Sequence, residues 1–448
     1  MAYPGYCRPV GFLRSLGHSP GLWRLLLVRL TSQLSEGAFQ AALALSILFN
    51  PDRHSDALAI AAGFAVLLLP YSVIGPFAGA LLDHWDRRRV LLWVNVFRAA
   101  AIASVALAMG TGAPDAVVLL AALTVTGASR FIASGLSASL PHVASRDVLI
   151  EMNAFFTTLG AGLLAAGFGL SSMLRAIFGA DDAGSAATLL AGAVITLVSG
   201  LLAAGFPRRF LGPDQPDDAG RSALFAVAHG LGHGVRAAAT TTTVATVLAA
   251  IGVHRFVFGI NSLMMLLLVR TSDLGPIRGH DVGAIVVLGA GVAVGALAAA
   301  FTTPVLVHRI GRRWTIAGAL LVAAGAELGL LYLSWTTICG GALLLGLAGQ
   351  TVKLCGDLAM QADISDTYRG QVFAVQDAIF NVAFVAAMFL GAVVLPADGF
   401  APGPVVFASC LYLLGAAVVW LRHPRRGGYP GPSTTRSAIP SPSVSSRK

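Results

Sequence analysis

Charge is what this chain has least of. Of its 448 residues, 11% are Asp, Glu, Lys or Arg, against roughly 25% in an ordinary soluble domain. A soluble fold of this length needs a polar exterior. Here 56% of the residues are apolar and the mean hydropathy is +0.78. Soluble enzymes, nucleic-acid binders and disordered scaffolds are nearly excluded on that ground. Lysine is almost missing: 28 of the 30 basic residues are Arg, leaving only Lys353 and Lys448. That skew points to a GC-rich, bacterial source. Cysteine is scarce too. Cys7, Cys339, Cys355 and Cys410 form no CxxC or other ligand spacing, so neither a disulfide frame nor a metal site is expected. There is no Walker A segment, which argues against ATP drive. There is no HExxH and no pair of intramembrane aspartates at catalytic motifs, which argues against an enzyme. Residues 1–22 lack the apolar core of a cleavable signal.

What is present is a series of long apolar runs. Twelve of them fit a helix-length window: 23–49, 57–82, 90–110, 115–138, 148–174, 186–206, 241–268, 282–305, 314–334, 336–360, 371–395 and 402–422. They are too long and too uniformly apolar for barrel strands. The sequence predicts an all-α, multi-pass integral membrane protein of the plasma (inner) membrane. The net charge of +9 sits in short loops, not in a patch, so no nucleic-acid partner is expected. With the N-terminus inside, cytoplasmic segments hold 21 basic residues and external loops hold 4. That bias puts both termini in the cytoplasm.

The loops also repeat. Arg87 and Arg312 lie 225 positions apart, and Arg146 and Arg369 lie 223 apart. Two six-helix halves follow from this, residues 23–206 and 241–422. They lie between a cytoplasmic N-terminal segment, 1–22, and a disordered Ser-, Pro- and Arg-rich tail, 423–448. A linker, 207–240, joins them. Its stretch around Ala223–Arg236 is amphipathic and is expected to lie on the cytoplasmic face. His229 and His233 on that helix are spaced i, i+4, but two ligands make a poor metal site.

The second run ends in Gly79-Ala80-Leu81-Leu82-Asp83-His84-Trp85-Asp86-Arg87-Arg88-Arg89. This resembles the loop signature of the major facilitator superfamily. Gly79, Asp83, Arg87 and Arg88 match it, while His84 and Asp86 depart from it. His308-Arg309-Ile310-Gly311-Arg312-Arg313 is a degenerate copy in the second half. The resemblance implies that Asp83 braces the two halves at a cytoplasmic gate near Arg369-Gly370; the alternative is a plain anchor of Arg residues. A carboxylate at a helix C-terminus opposes the dipole and needs a cationic partner. Gly127-Ala128-Ser129-Arg130-Phe131, Leu140-Pro141, Asn153-Ala154 and Arg369-Gly370-Gln371-Val372-Phe373 resemble the subgroup of enterobactin-type and macrolide exporters. The fifth run, from Gly160 to Gly167, has spaced glycines but not the Gly-Pro pair of the antiporter signature.

Charges inside the runs mark candidate sites, since each costs about 2.5–3.5 kcal/mol at a helix centre on insertion scales. The resemblance places the first, fourth, seventh and tenth helices around a central cavity. Glu36 is in the first, on one face with Gln33 and Gln40. An intramembrane carboxylate can take up and release a proton, so Glu36 is the candidate coupling group. The alternative is a structural carboxylate paired with an Arg. Arg130 in the fourth, His254, Arg255 and Asn261 in the seventh, and Lys353 and Asp357 in the tenth are the cavity or substrate candidates. Lys353 and Asp357 are expected to pair. Arg130 has a snorkelling alternative. Taken together the charged residues give the cavity about +1, which favours a substrate with an anionic group. Arg98 and Asp377 are read as gate or anchor residues near cytoplasmic ends. Glu327 falls in the ninth run, which the resemblance places at the periphery, and is read as packing-related or unexplained.

The resulting expectation is a monomeric, cofactor-free secondary transporter in the lipid bilayer. It moves a small or amphipathic organic molecule, with proton-coupled efflux by antiport and alternating access. A lipid or lysolipid flippase is the first alternative, and a non-transporting sensor or scaffold of the same fold is the second.

Overall fold

The computed structural model describes residues 20–49, 56–82, 85–144, 149–212, 220–271 and 282–422. All regular structure among them is helical: α1 (Pro20–Phe49), α2 (Ala57–Leu82), α3 (Arg87–Gly110), α4 (Asp115–Val143), α5 (Leu149–Phe178), α6 (Asp182–Ala204), α7 (Gly220–Thr240), α8 (Thr242–Thr271), α9 (Val282–Leu330), α10 (Trp335–Asp363), α11 (Asp366–Val394) and α12 (Pro402–Arg422). Among the described residues nine helices are long and apolar enough to cross a membrane, and α2 supplies a shorter apolar stretch, Ala57–Pro70. In α1, Gln33, Glu36 and Gln40 interrupt the apolar run.

The helix ends follow local chemistry. Asp86, which departs from the loop signature, is the N-cap of α3: its carboxylate accepts from Arg88 N at 3.1 Å. Ser334 opens α10 with a reciprocal capping box to Thr337, which satisfies two otherwise orphan donors. That cap separates the ninth and tenth runs, where the sequence offers only a four-residue break. α9 is continuous except at Gly311, whose φ of 81° and ψ of 160° are not helical. Only glycine visits that region cheaply. The loop expected at 306–313 is therefore a one-residue hinge between two rods, residues 282–310 and 312–330. At 1.5 Å per residue these are about 43 and 28 Å long, comparable to a bilayer core of roughly 30 Å.

The helices form two similar halves. In the first, α1 packs on α5 and α6, α2 on α4, and α3 on α4 and α6; in the second, α8 packs on α10, α11 and α12, and α9 on α10 and α12. Glycine permits the tightest crossings. A methyl at Gly167 of α5 would lie 2.7 Å from Ala38 N and 2.9 Å from Gly37 Cα on α1; one at Gly259 of α8 would lie 2.9 Å from Ala387 Cβ on α11. These are the same first-to-fifth helix crossing in each half.

The halves meet where α2 runs along α11. At the end of the bundle away from the arginine loops they share one apolar cluster, in which Phe39, Leu43, Ile102 and Met109 join Leu263, Met264, Phe384 and Met388. At the arginine-rich end each half has its own core. Leu22, Leu25, Leu136 and Phe206 belong to one, and Val247, Ile251, Ile316 and Tyr412 to the other. The bundle is thus joined at one end and divided at the other, with α7 laid against α2 and α11.

Candidate functional site

The polar stripe of α1 is turned into protein. Glu36 accepts from Gln40 Nε2 at 2.7 Å, and its other oxygen lies 2.8 Å from a terminal nitrogen of Arg98. The Arg98 and Glu36 side chains are 1% and 6% exposed. Arg98 also donates to Ser32 Oγ at 3.4 Å. Gln33 is half-buried, with its side chain against Gly160 of α5. The reading of Arg98 as an end-of-helix gate or anchor residue is corrected here. Its helix begins at Arg87, so Arg98 stands half-way along it, level with Glu36.

The second half holds a counterpart. Asn261, 225 positions after Glu36, donates to Glu327 Oε1 at 2.5 Å. Both polar pairs join the first helix of a half to its third. Glu327 is fully buried within the half, and its Oε2 has no hydrogen-bond partner among the described residues. His254, two turns earlier on α8, is buried and bonded through Nδ1 to Tyr412 OH at 2.9 Å. This ties α8 to α12, and the structure places His254 in the core of its half. Arg255 faces the other way. Its Nε donates to the Phe380 carbonyl at 3.2 Å, and its guanidinium carbon lies 3.8, 4.7 and 5.4 Å from the ring centroids of Phe380, Phe384 and Phe258.

A third group lies between the halves. Lys353 Nζ lies 3.1 Å from Asp357 Oδ2, and Gln376 donates to Asp357 Oδ1 at 2.9 Å. Asp377 on α11 is within electrostatic reach of Arg130 on α4 as well as of Lys353 and Asp357. Beside them, Ser72 of α2 donates to the Asp377 carbonyl at 3.1 Å and accepts from Asn381 Nδ2 at 2.9 Å. Arg130 and Lys353–Asp357, separate candidates in sequence, therefore act on one residue, Asp377, from the two sides of the seam.

At the arginine-rich end the loop arginines hold helix termini. Arg87 donates to the carbonyls of Leu82 at 3.1 Å and Ala138 at 2.9 Å, and Arg88 to that of Ala204 at 2.7 Å. In the second half Arg312 pairs with Asp363 at 2.9 Å at the end of α10, and Arg313 stacks 4.1 Å over Trp420 and bonds its carbonyl. Each arginine pair thus closes its own fourth and sixth helices, where cations complement the dipole. Arg369 donates to the Gln361 carbonyl at 2.9 Å, the last turn of α10. Gly79 lies in the last turn of α2; Asp83, the residue on which the gate expectation turns, is outside the described residues, as are residues 1–19 and 423–448. The rings of His229 and His233 are 4.6 Å apart. Among the described residues no group of three or more His, Cys, Asp or Glu side chains is placed to hold a metal ion.

Sequence reasoning named Arg98 in another role, and it missed the aromatic set around Arg255 and Tyr412. Each is visible only once helix rotation is known.

No family model matches the chain. Two proteins described as uncharacterized MFS-type transporters, from Mycobacterium bovis and Mycobacterium tuberculosis, are each 44% identical to it over 415 residues, covering 92% of this chain and 93% of theirs. The chain belongs to the major facilitator superfamily. Solved structures agree on the fold of this major facilitator protein. A POT family transporter in complex with a thioalcohol-conjugated peptide matches with a TM-score of 0.65 at 12% identity, covering 90% of this chain and 96% of that one. The xylose transporter XylE of E. coli, in an inward-open conformation, matches at 0.60 and 13% identity, over 91% and 98%. The nucleoside transporter NupG matches at 0.57 and 13%, over 89% and 97%. The chain is a multi-pass membrane protein with bacterial relatives, and those relatives and structural neighbours are transporters.

Proposed function

We propose that this major facilitator protein is a secondary active transporter that exports a small or amphipathic organic molecule across the bacterial plasma membrane, driven by protons. The observation that carries the reading is the asymmetry of the bundle. The halves share one apolar cluster at one end and keep separate cores at the other. Two rigid halves in that relation can exchange which end is closed, which is alternating access about a central site. The loop charges support an arginine-rich cytoplasmic end, so the described state faces inward, with twelve spans if the two rods of α9 are counted separately. The likeness of the Arg130 and Arg369 segments to the enterobactin- and macrolide-exporter subgroup supports the outward direction.

In this reading Glu36 couples transport to protons by exchanging Arg98 for a proton. That frees the first helix of the first half from the third. Arg130, Lys353, Asp357 and Asp377 form the charged seam that parts and closes, and Asp83 with Arg369 belongs to the gate. The test uses inverted membrane vesicles energised acid-inside, with a fluorescent dye reporting the gradient. A panel of siderophores, macrolides, lipophilic cations and lysolipids is added. Gradient collapse with one class, absent in empty vesicles and in Glu36→Gln vesicles, is the expected result. Collapse that Glu36→Gln leaves unchanged assigns Glu36 to structure. No collapse with any class removes proton-driven export.

Lipid flipping is a second reading with its own observation. α5 and the first rod of α9 expose Phe168, Met173 and Ile177, and Val294, Leu297 and Phe301. Their main packing is on α1 and α10 respectively. A seam flanked by two such helices suits a substrate entering from the bilayer. Gradient-independent movement of a labelled lysolipid would favour it.

A further inference from the structure

Several of the intramembrane charges close on a protein partner. Glu36 closes on Arg98, and Lys353 on Asp357. Arg255 differs. One of its five N–H groups, on Nε, donates to the Phe380 carbonyl, and the stacked rings fix the plane of the guanidinium. The terminal nitrogens have no acceptor among the described residues, and neither is sealed away from solvent. This is a preorganised fork: held from behind, with its bidentate edge free.

The rings that hold the fork also line a cavity. Phe258 and Phe384 are walls of a space of about 280 Å³ bounded by α2, α8, α9, α10 and α11. Phe64, Met265 and Leu288 supply more of its lining, and Asn261 and Ser262 are its polar members. Phe64 comes from the first half and packs 5.8 Å from Phe384, so the cavity spans the seam that alternating access would open. The cation and the apolar space thus share the rings of Phe258 and Phe384.

We propose that Arg255 and this cavity form one binding site for an amphipathic anion. A carboxylate- or phosphate-type headgroup sits on the terminal nitrogens of Arg255, and a ring system or alkyl body sits among Phe64, Phe258 and Phe384. The inference rests on the transporter reading and names its substrate class. A cationic headgroup at the same place meets the guanidinium's repulsion. A neutral one leaves the fork unmatched.

The test is equilibrium binding to the full chain in nanodiscs of zwitterionic lipid. The matched probes are decanoate, decanol and decyltrimethylammonium, with 2-naphthoate and a lysophosphatidate as further anions. The site predicts that decanoate binds more tightly than either matched probe. Arg255→Gln should weaken decanoate binding roughly tenfold or more, as expected for loss of a charged hydrogen bond, and leave decanol unchanged. Met265→Trp, which fills the cavity, should weaken both. If Arg255→Gln does not fold, Arg255→Lys serves: it keeps the charge, loses the fork, and should retain a smaller preference for the anion. Tight lysophosphatidate binding would trace the headgroup to a lipid, and tight naphthoate binding to a soluble acid; either supports the site. Equal binding of decanoate and decyltrimethylammonium, no binding of any anion, or native affinity in Arg255→Gln overturns it. Transport without anion preference removes this site and keeps the transporter reading. Anion binding without transport does the reverse.

Discussion

At the residue scale, the decisive feature is how buried polar groups are matched. Arg98 and Glu36 are both out of reach of solvent, so removing one strands the other. Breaking such a pair costs about 3–5 kcal/mol. Arg98→Ala should lower thermal stability in detergent accordingly, and Glu36→Gln in the Arg98→Ala background should recover part of the loss, giving a non-additive double-mutant cycle. Additive losses would mean the pair is not coupled. The Tyr412–His254 bond makes a smaller prediction. Tyr412→Phe leaves a buried ring nitrogen without its partner and should cost about 1–3 kcal/mol, read from the same melting curves. Glu36 was legible in the sequence as an anomaly in an apolar run. Its partner was not, because choosing among Arg98, Arg130 and the loop arginines requires the rotation of α3. Lys353 and Asp357 needed no such knowledge, since i, i+4 spacing on one helix brings them together by itself.

At the element scale, most of the helices could be placed from hydropathy alone. The run 57–82 coincides with α2 and the run 402–422 with α12. The reason is physical: an apolar stretch of span length has few alternatives to a helix when its backbone must bond internally. The hinge in α9 was less legible, because its charged residues look like a loop while the backbone bends at one position. Gly311→Ala should therefore be more costly than a typical helix Gly→Ala change, by about 1–3 kcal/mol of backbone strain. The measurement is the melting temperature beside Gly318→Ala, a helical site where a methyl meets nothing within 4 Å. Equal effects would show that the hinge does not depend on the left-handed conformation. The matched arginine pairs make a related point. Their spacing revealed the duplication, but their targets, backbone carbonyls and one carboxylate towards the ends of the fourth and sixth helices of each half, appear only in three dimensions.

At the scale of the whole molecule, the two-half organisation was readable from the 225-residue repeat, whereas the state of the bundle was not. Which end is joined depends on side chains such as Phe64 and Phe384, remote in sequence and unremarkable as apolar residues. The same limit applied to the cavity, since its lining comes from five helices and both halves. The central claim is that the halves rock, opening the joined end. Leu58 on α2 and Val393 on α11 are exposed at that end, and spin labels there would report it by pulsed distance measurement in nanodiscs. Alternating access predicts a second, longer distance population whose weight shifts between acidic and alkaline pH or on adding an amphipathic anion. One invariant distance under all of these conditions would contradict it.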